Sequence, residues 1–316
     1  MAQAQFTKET GADGSWQRQK SAFRDWVSAD GSSEFPAEAG RYHLYVCKAC
    51  PWAHRSMIVR RLKGLESVIG MTVVDPIRDE KGWRFNLSDD NDPAHGERDP
   101  LNGWQYLSEG YLATDPTFEG RVTVPTLWDT KTGKVVNNES SEVIRMLNSA
   151  FDEFAEHPEL DLYPEDLREE IDSINEWVYA TVNNGVYRCG FAISQSAFDD
   201  AYDSLFASLD RLDGMLAERR YLAGDRITEA DWRLFTTLVR FDAVYITHFK
   251  TNLKRLVDYP NLWPYARELF QVEGVAETVD FDHIKRHYFV THEQLNPSRI
   301  VPRGPEPDWS EPHGRG

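Results

Sequence analysis

The stretch Tyr42-His43-Leu44-Tyr45-Val46-Cys47-Lys48-Ala49-Cys50-Pro51-Trp52-Ala53-His54-Arg55 decides the fold. It reads as a short strand that delivers a cysteine to the start of a helix. Pro51 suits the first helical position, where its missing N–H would have had no intrahelical partner. Unpaired backbone N–H groups and the macrodipole at such an end favour negative charge. Settings of this kind lower a cysteine pKa from about 8.5 to roughly 3.5–7.5, which makes a nucleophilic thiolate at neutral pH. His54 and Arg55, one turn on, are placed to add positive charge nearby.

A redox pair that opens with the attacking sulfur has its second cysteine three residues further on, and that position is Ala53 here. Cys50 therefore reads as a monothiol nucleophile, whose mixed disulfide must be resolved by a thiol arriving from solution. Cys47 makes a C-x-x-C with Cys50 from the strand side, either as a structural or incidental thiol or as one that resolves or protects Cys50. His43, Cys47, Cys50 and His54 also have H-x3-C-x2-C-x3-H spacing, which could suit a metal. The strand position of His43 and the helix start after Cys50 weigh against that reading, and no metal is expected.

With 316 residues, of which 41% are hydrophobic, the chain is long enough for two cores. Three cysteines in such a length form no disulfide framework, and the N-terminus has no apolar signal core, so a reducing cytoplasm is expected. A formal charge of −17, from 52 acidic and 35 basic residues, argues against a nucleic-acid or anionic-membrane partner. Arg outnumbers Lys. An acidic, Lys-poor surface of this kind also suits a source adapted to high salt.

Residues 1–40 read as a polar arm whose Phe6, Trp16, Phe23, Trp26 and Phe35 dock on apolar surface. A thioredoxin-like domain is expected over 41–155. In it, strand 42–46, a helix near 51–64 ending at Gly64, and strand 71–75 form a β-α-β unit. A polar insertion over 76–118 follows, then a strand at 124–128, a turn at 130–133, a strand from Lys134 to Asn137 and a helix from Ser140 to Asn148. This βαβ then ββα order matches the thioredoxin fold. Pro125 begins a strand where a trans proline would be awkward, and in that fold the proline facing the helix-start cysteine is cis, so a cis Val124–Pro125 bond is expected. An all-helical domain over 165–296 is read from three- and four-residue apolar spacing at 165–184, 196–219, 228–247 and 260–272. Thr228 and Asp231 form a capping-box variant there. Residues 297–316 read as a surface tail.

A thioredoxin-like half followed by an all-helical half resembles the cytosolic glutathione transferases, and Asn138-Glu139-Ser140-Ser141 strengthens the likeness. Within that superfamily, Cys50-Pro51-Trp52-Ala53-His54-Arg55 is similar to the glutathionyl-hydroquinone reductases, or xi class. Further matches are Gly82-Trp83-Arg84-Phe85, the stretch 183–192, the stretch 240–250 and 283–288, so the resemblance runs from about residue 20 to beyond 300. The resemblance implies that Cys50 is the nucleophile and that Trp83, Val124, Glu139 and Ser140 hold the thiol co-substrate. It puts Tyr187, Tyr245 and Tyr288 on the aromatic substrate, with Tyr187 and Tyr288 also assisting catalysis. Phenols suit such a site because they pack on a quinol ring and donate hydrogen bonds or a proton; taken without the resemblance, each reads as an amphipathic core-edge residue.

The implied reaction is reductive deglutathionylation, with glutathione or another low-molecular-weight thiol as co-substrate and no metal. The partners implied are small-molecule thiols and quinol conjugates, together with a second copy of the chain in a homodimer. Cys47-Lys48 stands where the group more often has small, non-thiol residues. Two other readings stay open: an omega-like thioltransferase or dehydroascorbate reductase, and a non-catalytic transferase-fold binding module. His283 and His287 share i, i+4 spacing, but two histidines alone do not make a metal site.

Overall fold

The computed structural model describes residues 9–88, 92 and 94–315, and the expectation for Phe6 lies outside them. The chain divides into two compact units. Among the described residues, one comprises those within 19–161 and 277–300, and the other comprises 9–18, 162–276 and 301–315.

The first unit opens with a two-residue parallel pairing of β1 (Val27–Ser28) and β2 (Phe35–Pro36). Its centre is a four-stranded sheet of β3 (Tyr42–Val46), β4 (Gly70–Val73), β5 (Thr126–Asp129) and β6 (Lys134–Asn137), in the order β4-β3-β5-β6. β3 runs parallel to β4 and antiparallel to β5, and β5 pairs antiparallel with β6. Every residue of β3 is buried, as expected for a central strand covered on both faces.

β3 feeds α1 (Pro51–Leu62), whose first nine residues are all buried. Gly64, at a φ of 63°, closes the helix, with its N–H on the Arg61 carbonyl and the Leu65 N–H on that of Arg60. This is the left-handed end for which glycine is the favoured residue.

β5 starts at Thr126, one residue after the expected Pro125, which lacks the N–H a ladder position needs. The Val124–Pro125 bond is cis. The insertion after β4 contains a helix the sequence reading omitted, α2 (Ser108–Thr114), seven residues with Gly110 inside. Backbone hydrogen bonds hold the insertion to itself, with Phe85 N–H on Gln105 O and Leu107 N–H on Trp83 O. The β5–β6 turn is fixed by Asp129, which receives two hydrogen bonds from Arg41 and one from Thr132. α3 (Ser140–Ser149) follows β6 directly.

Residues 21–25 of the arm lie along the end of β6: Asp25 N–H reaches Val136 O, and Asn138 N–H reaches Phe23 O. The Phe23 ring stacks on Phe118 at 5.6 Å and meets Tyr111 edge-on at 5.3 Å. Phe35 and Trp16 are buried, but Trp26, expected to dock, is 42% exposed.

The second unit is helical. A 3-10 turn at Glu165–Leu167 leads into α4 (Arg168–Val178), then a π-helical turn (Tyr179–Asn183) and α5 (Gly185–Gly190). α6 (Gln195–Glu218) and α7 (Glu229–Arg240) follow, and α7 runs through a second π-helical turn (Phe241–Tyr245) into α8 (Ile246–His248), before α9 (Leu262–Phe270). The two π-helical turns divide what the apolar spacing reads as continuous α-helix. The tail is anchored in this unit by Trp309, whose ring lies 4.8 Å from Trp263 and 5.1 Å from Phe270. The last helix, α10 (Phe281–Thr291), belongs to the first unit.

The Thr228–Asp231 cap forms as read. Fully buried Asp231 accepts from Thr228 N–H at 2.8 Å and Thr228 Oγ1 at 3.0 Å, and its other oxygen accepts from Leu222 N–H at 2.9 Å and Tyr265 OH at 2.8 Å. Asp231→Ala would leave several of these buried donors without an acceptor, so it is expected to cost about 2–4 kcal/mol of stability. Urea unfolding followed by far-UV circular dichroism measures this, and a midpoint equal to that of the parent would refute the role.

Candidate active site

Cys50 is the N-cap of α1, in extended backbone (φ −78°, ψ 121°), with its carbonyl accepting from His54 N–H at 3.0 Å. β3 ends four residues earlier, and Cys50 N–H turns back to Cys47 O at 3.0 Å, so a tight connection fixes the sulfur at the helix mouth. The sulfur is half-buried, and its Sγ lies 3.5 Å from the carbonyl oxygen of Val124, the residue of the cis bond. Among the described residues its side chain makes no capping hydrogen bond, so its relation to the helix is through the dipole and the first-turn amides rather than a formed bond.

Cys47 has the opposite environment. It is fully buried, and burial, reinforced by the nearby Cys50, pushes its thiol up to about 12 against the opposing charge of Arg78. Cys189, in the second unit, is likewise pushed up to about 12, chiefly by burial. A thiol so placed stays protonated at neutral pH and is a poor nucleophile.

The remaining residues of the H-x3-C-x2-C-x3-H spacing are engaged elsewhere. His43 Nε2 pairs with Thr72 Oγ1 at 2.8 Å, and burial lowers its pKa to about 4. His54 Nε2 pairs with Thr278 Oγ1 at 2.7 Å. Among the described residues no group of three or more His, Cys, Asp or Glu is arranged to hold a metal ion.

The segment 277–291, part of the first unit, packs on residues that flank this cysteine in the chain. Lys48 Nζ reaches Asp280 Oδ2 at 3.2 Å, while the other Asp280 oxygen caps α10 through His283 N–H. Burial raises the Asp280 carboxyl, but the His283 amide and the charges of His283 and Lys48 outweigh it and hold the group below its ordinary value. His287 lies against Trp83, ring centroids 5.3 Å apart, with its Nδ1 2.5 Å from Pro76 O. Arg78 covers Trp83 at 4.8 Å from the ring centroid. Lys48, Asp280 and His287 had no assigned function in the sequence reading, because each acts through a partner distant in the chain.

Glu139 is the N-cap of α3, and one carboxylate oxygen accepts from Ser141 N–H at 3.3 Å and Ser141 Oγ at 3.0 Å. Its other oxygen accepts from Ser21 Oγ at 2.9 Å. Ser140 is buried, with its hydroxyl 3.3 Å from Arg55 Nη1. Cys50, Trp83, Val124, Glu139, Ser140 and Tyr288 all belong to the first unit, where Tyr288 is fully buried. Tyr187 and Tyr245 belong to the second, where their rings lie 6.2 Å apart. Phe249 stacks on Tyr245 at 5.4 Å and tilts against Tyr187 at 5.3 Å, and Trp16 stacks on Tyr187 at 5.6 Å.

A thioredoxin-like unit with a helix-capping cysteine opposite a cis-proline, combined with a helical unit, defines a glutathione transferase. The N-terminal and C-terminal domain families of glutathione S-transferases match residues 49–150 and 195–268. Over 98% of this chain and 94% of the relative, the sequence is 51% identical to a protein of Escherichia coli named glutathionyl-hydroquinone reductase YqjG. The glutathione-bound structure of YqjG aligns at a TM-score of 0.89 and covers 96% of this chain and 97% of its own. The glutathione-S-transferase Xi of Phanerochaete chrysosporium aligns at a TM-score of 0.90 with 53% identity, covering 95% of both chains. The chain belongs to the glutathionyl-hydroquinone reductase family, the xi class of glutathione transferases.

The contrast among the three thiols has a direct readout. Iodoacetamide at neutral pH is expected to modify Cys50 in the folded protein and to spare Cys47 and Cys189, with all three reacting after unfolding. Peptide mass mapping distinguishes the sites, and native-state labelling of Cys47 ahead of Cys50 would contradict this assignment.

Proposed function

We propose that this protein is a thiol-dependent reductase that removes glutathione, or an equivalent low-molecular-weight thiol, from glutathionyl-hydroquinones through a mixed disulfide on Cys50. The observation that carries this reading is the half-buried Cys50 sulfur at the mouth of α1, 3.5 Å from the Val124 carbonyl, in a chain of this family.

In the first step the Cys50 thiolate attacks the sulfur of the conjugate. A Cys50–S–S–glutathione bond forms, the aryl carbon–sulfur bond breaks with its electron pair left on carbon, and a proton delivered to that carbon releases the hydroquinone. A second glutathione thiolate then attacks the mixed disulfide, leaving glutathione disulfide and free Cys50. The thioether sulfur of the conjugate and the thiol of the second glutathione end as one disulfide while the aryl carbon is reduced, and the balance needs no metal.

Trp83, Val124, Glu139 and Ser140 hold the thiol co-substrate in this reading. The Val124 backbone meets its peptide, and the Glu139 carboxylate complements the ammonium of its γ-glutamyl end. Tyr187, Tyr245 and Tyr288 receive the aromatic ring, and Tyr187 and Tyr288 are the proposed proton donors, as phenols are able to be. No helix among the described residues is long and apolar enough to cross a membrane. Function as a cytoplasmic homodimer, and adaptation of the acidic surface to high salt, belong to the same proposal.

Turnover of a glutathionyl-hydroquinone with added glutathione is the test. Cys50→Ser or Cys50→Ala is expected to lower kcat by about a thousandfold or more, and substantial residual activity would refute the nucleophile. Preference for a small mixed disulfide or for dehydroascorbate would instead favour the omega-like reading. Tyr187→Phe and Tyr288→Phe are each expected to reduce kcat about 10- to 100-fold, the scale of a lost proton donor; rates unchanged in both variants would remove the phenols from the chemistry.

A further inference from the structure

The Glu139 carboxylate stands at the start of α3 with its two oxygens held differently. One is tied within its own turn by Ser141 N–H and Ser141 Oγ. The other is met by Ser21 Oγ at 2.9 Å, from a residue 118 positions earlier in the chain. Ser21 also lies 3.3 Å from the Asn138 carbonyl, and its place is set by backbone pairing of the arm with β6.

That pairing is built with some redundancy. Phe23 N–H reaches Asn138 Oδ1 at 3.0 Å while Asn138 N–H reaches Phe23 O at 3.1 Å, so the two residues exchange bonds. Asn137 Nδ2 donates to Asp25 O at 3.0 Å, and Arg24 forms an ion pair with Glu142. The Phe23 ring, wedged on Phe118 and Tyr111, fixes the strip from below. A short surface strip anchored at this many points delivers a single hydroxyl to a carboxylate.

We propose that Ser21 is a positioning residue for thiol binding: its hydroxyl holds the Glu139 carboxylate in the orientation that receives the ammonium of glutathione. The inference rests on the proposed role of Glu139 in binding the co-substrate. A half-buried carboxylate on a flexible side chain loses rotamer freedom when it binds a cation, and a hydroxyl already bonded to one oxygen removes part of that cost beforehand. Serine is suited to the task because its single O–H donates to the carboxylate without adding a charge that would compete with the ammonium.

The test compares Ser21→Ala, Ser21→Thr, Glu139→Gln and the Ser21→Ala/Glu139→Gln double variant in the full-length protein. Glutathione affinity is read by isothermal titration calorimetry, and KM and kcat are read with glutathione varied at saturating glutathionyl-hydroquinone. Ser21→Ala is expected to raise both Kd and KM for glutathione about three- to tenfold, the factor carried by one net hydrogen bond, with kcat changed less than about twofold. Ser21→Thr, which keeps the hydroxyl, recovers most of the affinity. In the Glu139→Gln background the Ser21→Ala change adds little, because coupled residues do not add.

Should Glu139→Gln weaken glutathione binding while Ser21→Ala leaves it intact, the Ser21 inference falls and the role of Glu139 stands. Should the parent protein fail to bind glutathione, or Glu139→Gln leave binding unchanged, both fall. A Ser21→Ala loss that Thr does not restore, and that comes with a lower unfolding midpoint, marks a merely structural contact and overturns the proposal.

Discussion

One constraint organises the first unit: β3 is buried along its whole length between β4 and β5, so neither its register nor its end point is free to drift. In a strand whose side chains alternate between faces, a one-residue slip would invert every contact, and a strand packed on both faces cannot absorb it. The turn that follows is only Cys47 to Cys50, closed by a backbone hydrogen bond, and the helix begins at once with a proline. The location of the Cys50 sulfur is thus inherited from the sheet. β5, the other neighbour of β3, starts just after the cis Val124–Pro125 bond and brings the Val124 carbonyl to the same place. Two adjacent strands set the two sides of the thiol site.

The same geometry accounts for the different fates of the two neighbouring thiols. Cys47, the first residue after the strand, is still inside the protein, and desolvation keeps it neutral. Cys50, three positions later, has reached the helix mouth and is half-buried. A C-x-x-C pattern thus spans an inside-to-outside transition, which sets it apart from redox pairs in which both sulfurs stand on one helix end. The segment 277–291 adds Thr278 to His54, Asp280 to Lys48 and His287 to Trp83, so the far end of the sequence braces residues that flank the cysteine in the chain, all within the first unit.

What the sequence disclosed was what local chemistry encodes. Pro51 after Cys50, Gly64 at the helix end, the proline before β5 and the Thr228–Asp231 cap each leave a signature within four residues, and each is found in the structure. The helical boundaries were less legible. A π-helical turn departs from three- and four-residue spacing over only one turn, too briefly for an apolar pattern read across a whole helix to register, so the breaks at Tyr179–Asn183 and Phe241–Tyr245 were not read from periodicity. α2 was hidden by its shortness and its glycine. Trp26 was misjudged because an aromatic in an arm is counted as apolar whichever way it points, and the anchoring of the tail by Trp309 was not read because the Pro and Gly around it suggested only a surface extension. Roles for Tyr187, Tyr245 and Tyr288 came from family likeness alone; the long-range partners of Lys48, Trp83 and Glu139 had no local signal at all.

The arm has a consequence for how this protein could be cut and recombined. The matched N-terminal domain family begins at residue 49, after β3 has ended and well after the strip at 21–25 that lines β6. A chimera joined at that border would exchange α1 and its cysteine for those of another transferase while leaving behind the central strand that aims them. The unit of inheritance here is the sheet together with its N-terminal edging, and grafts that respect it would start before Ser21.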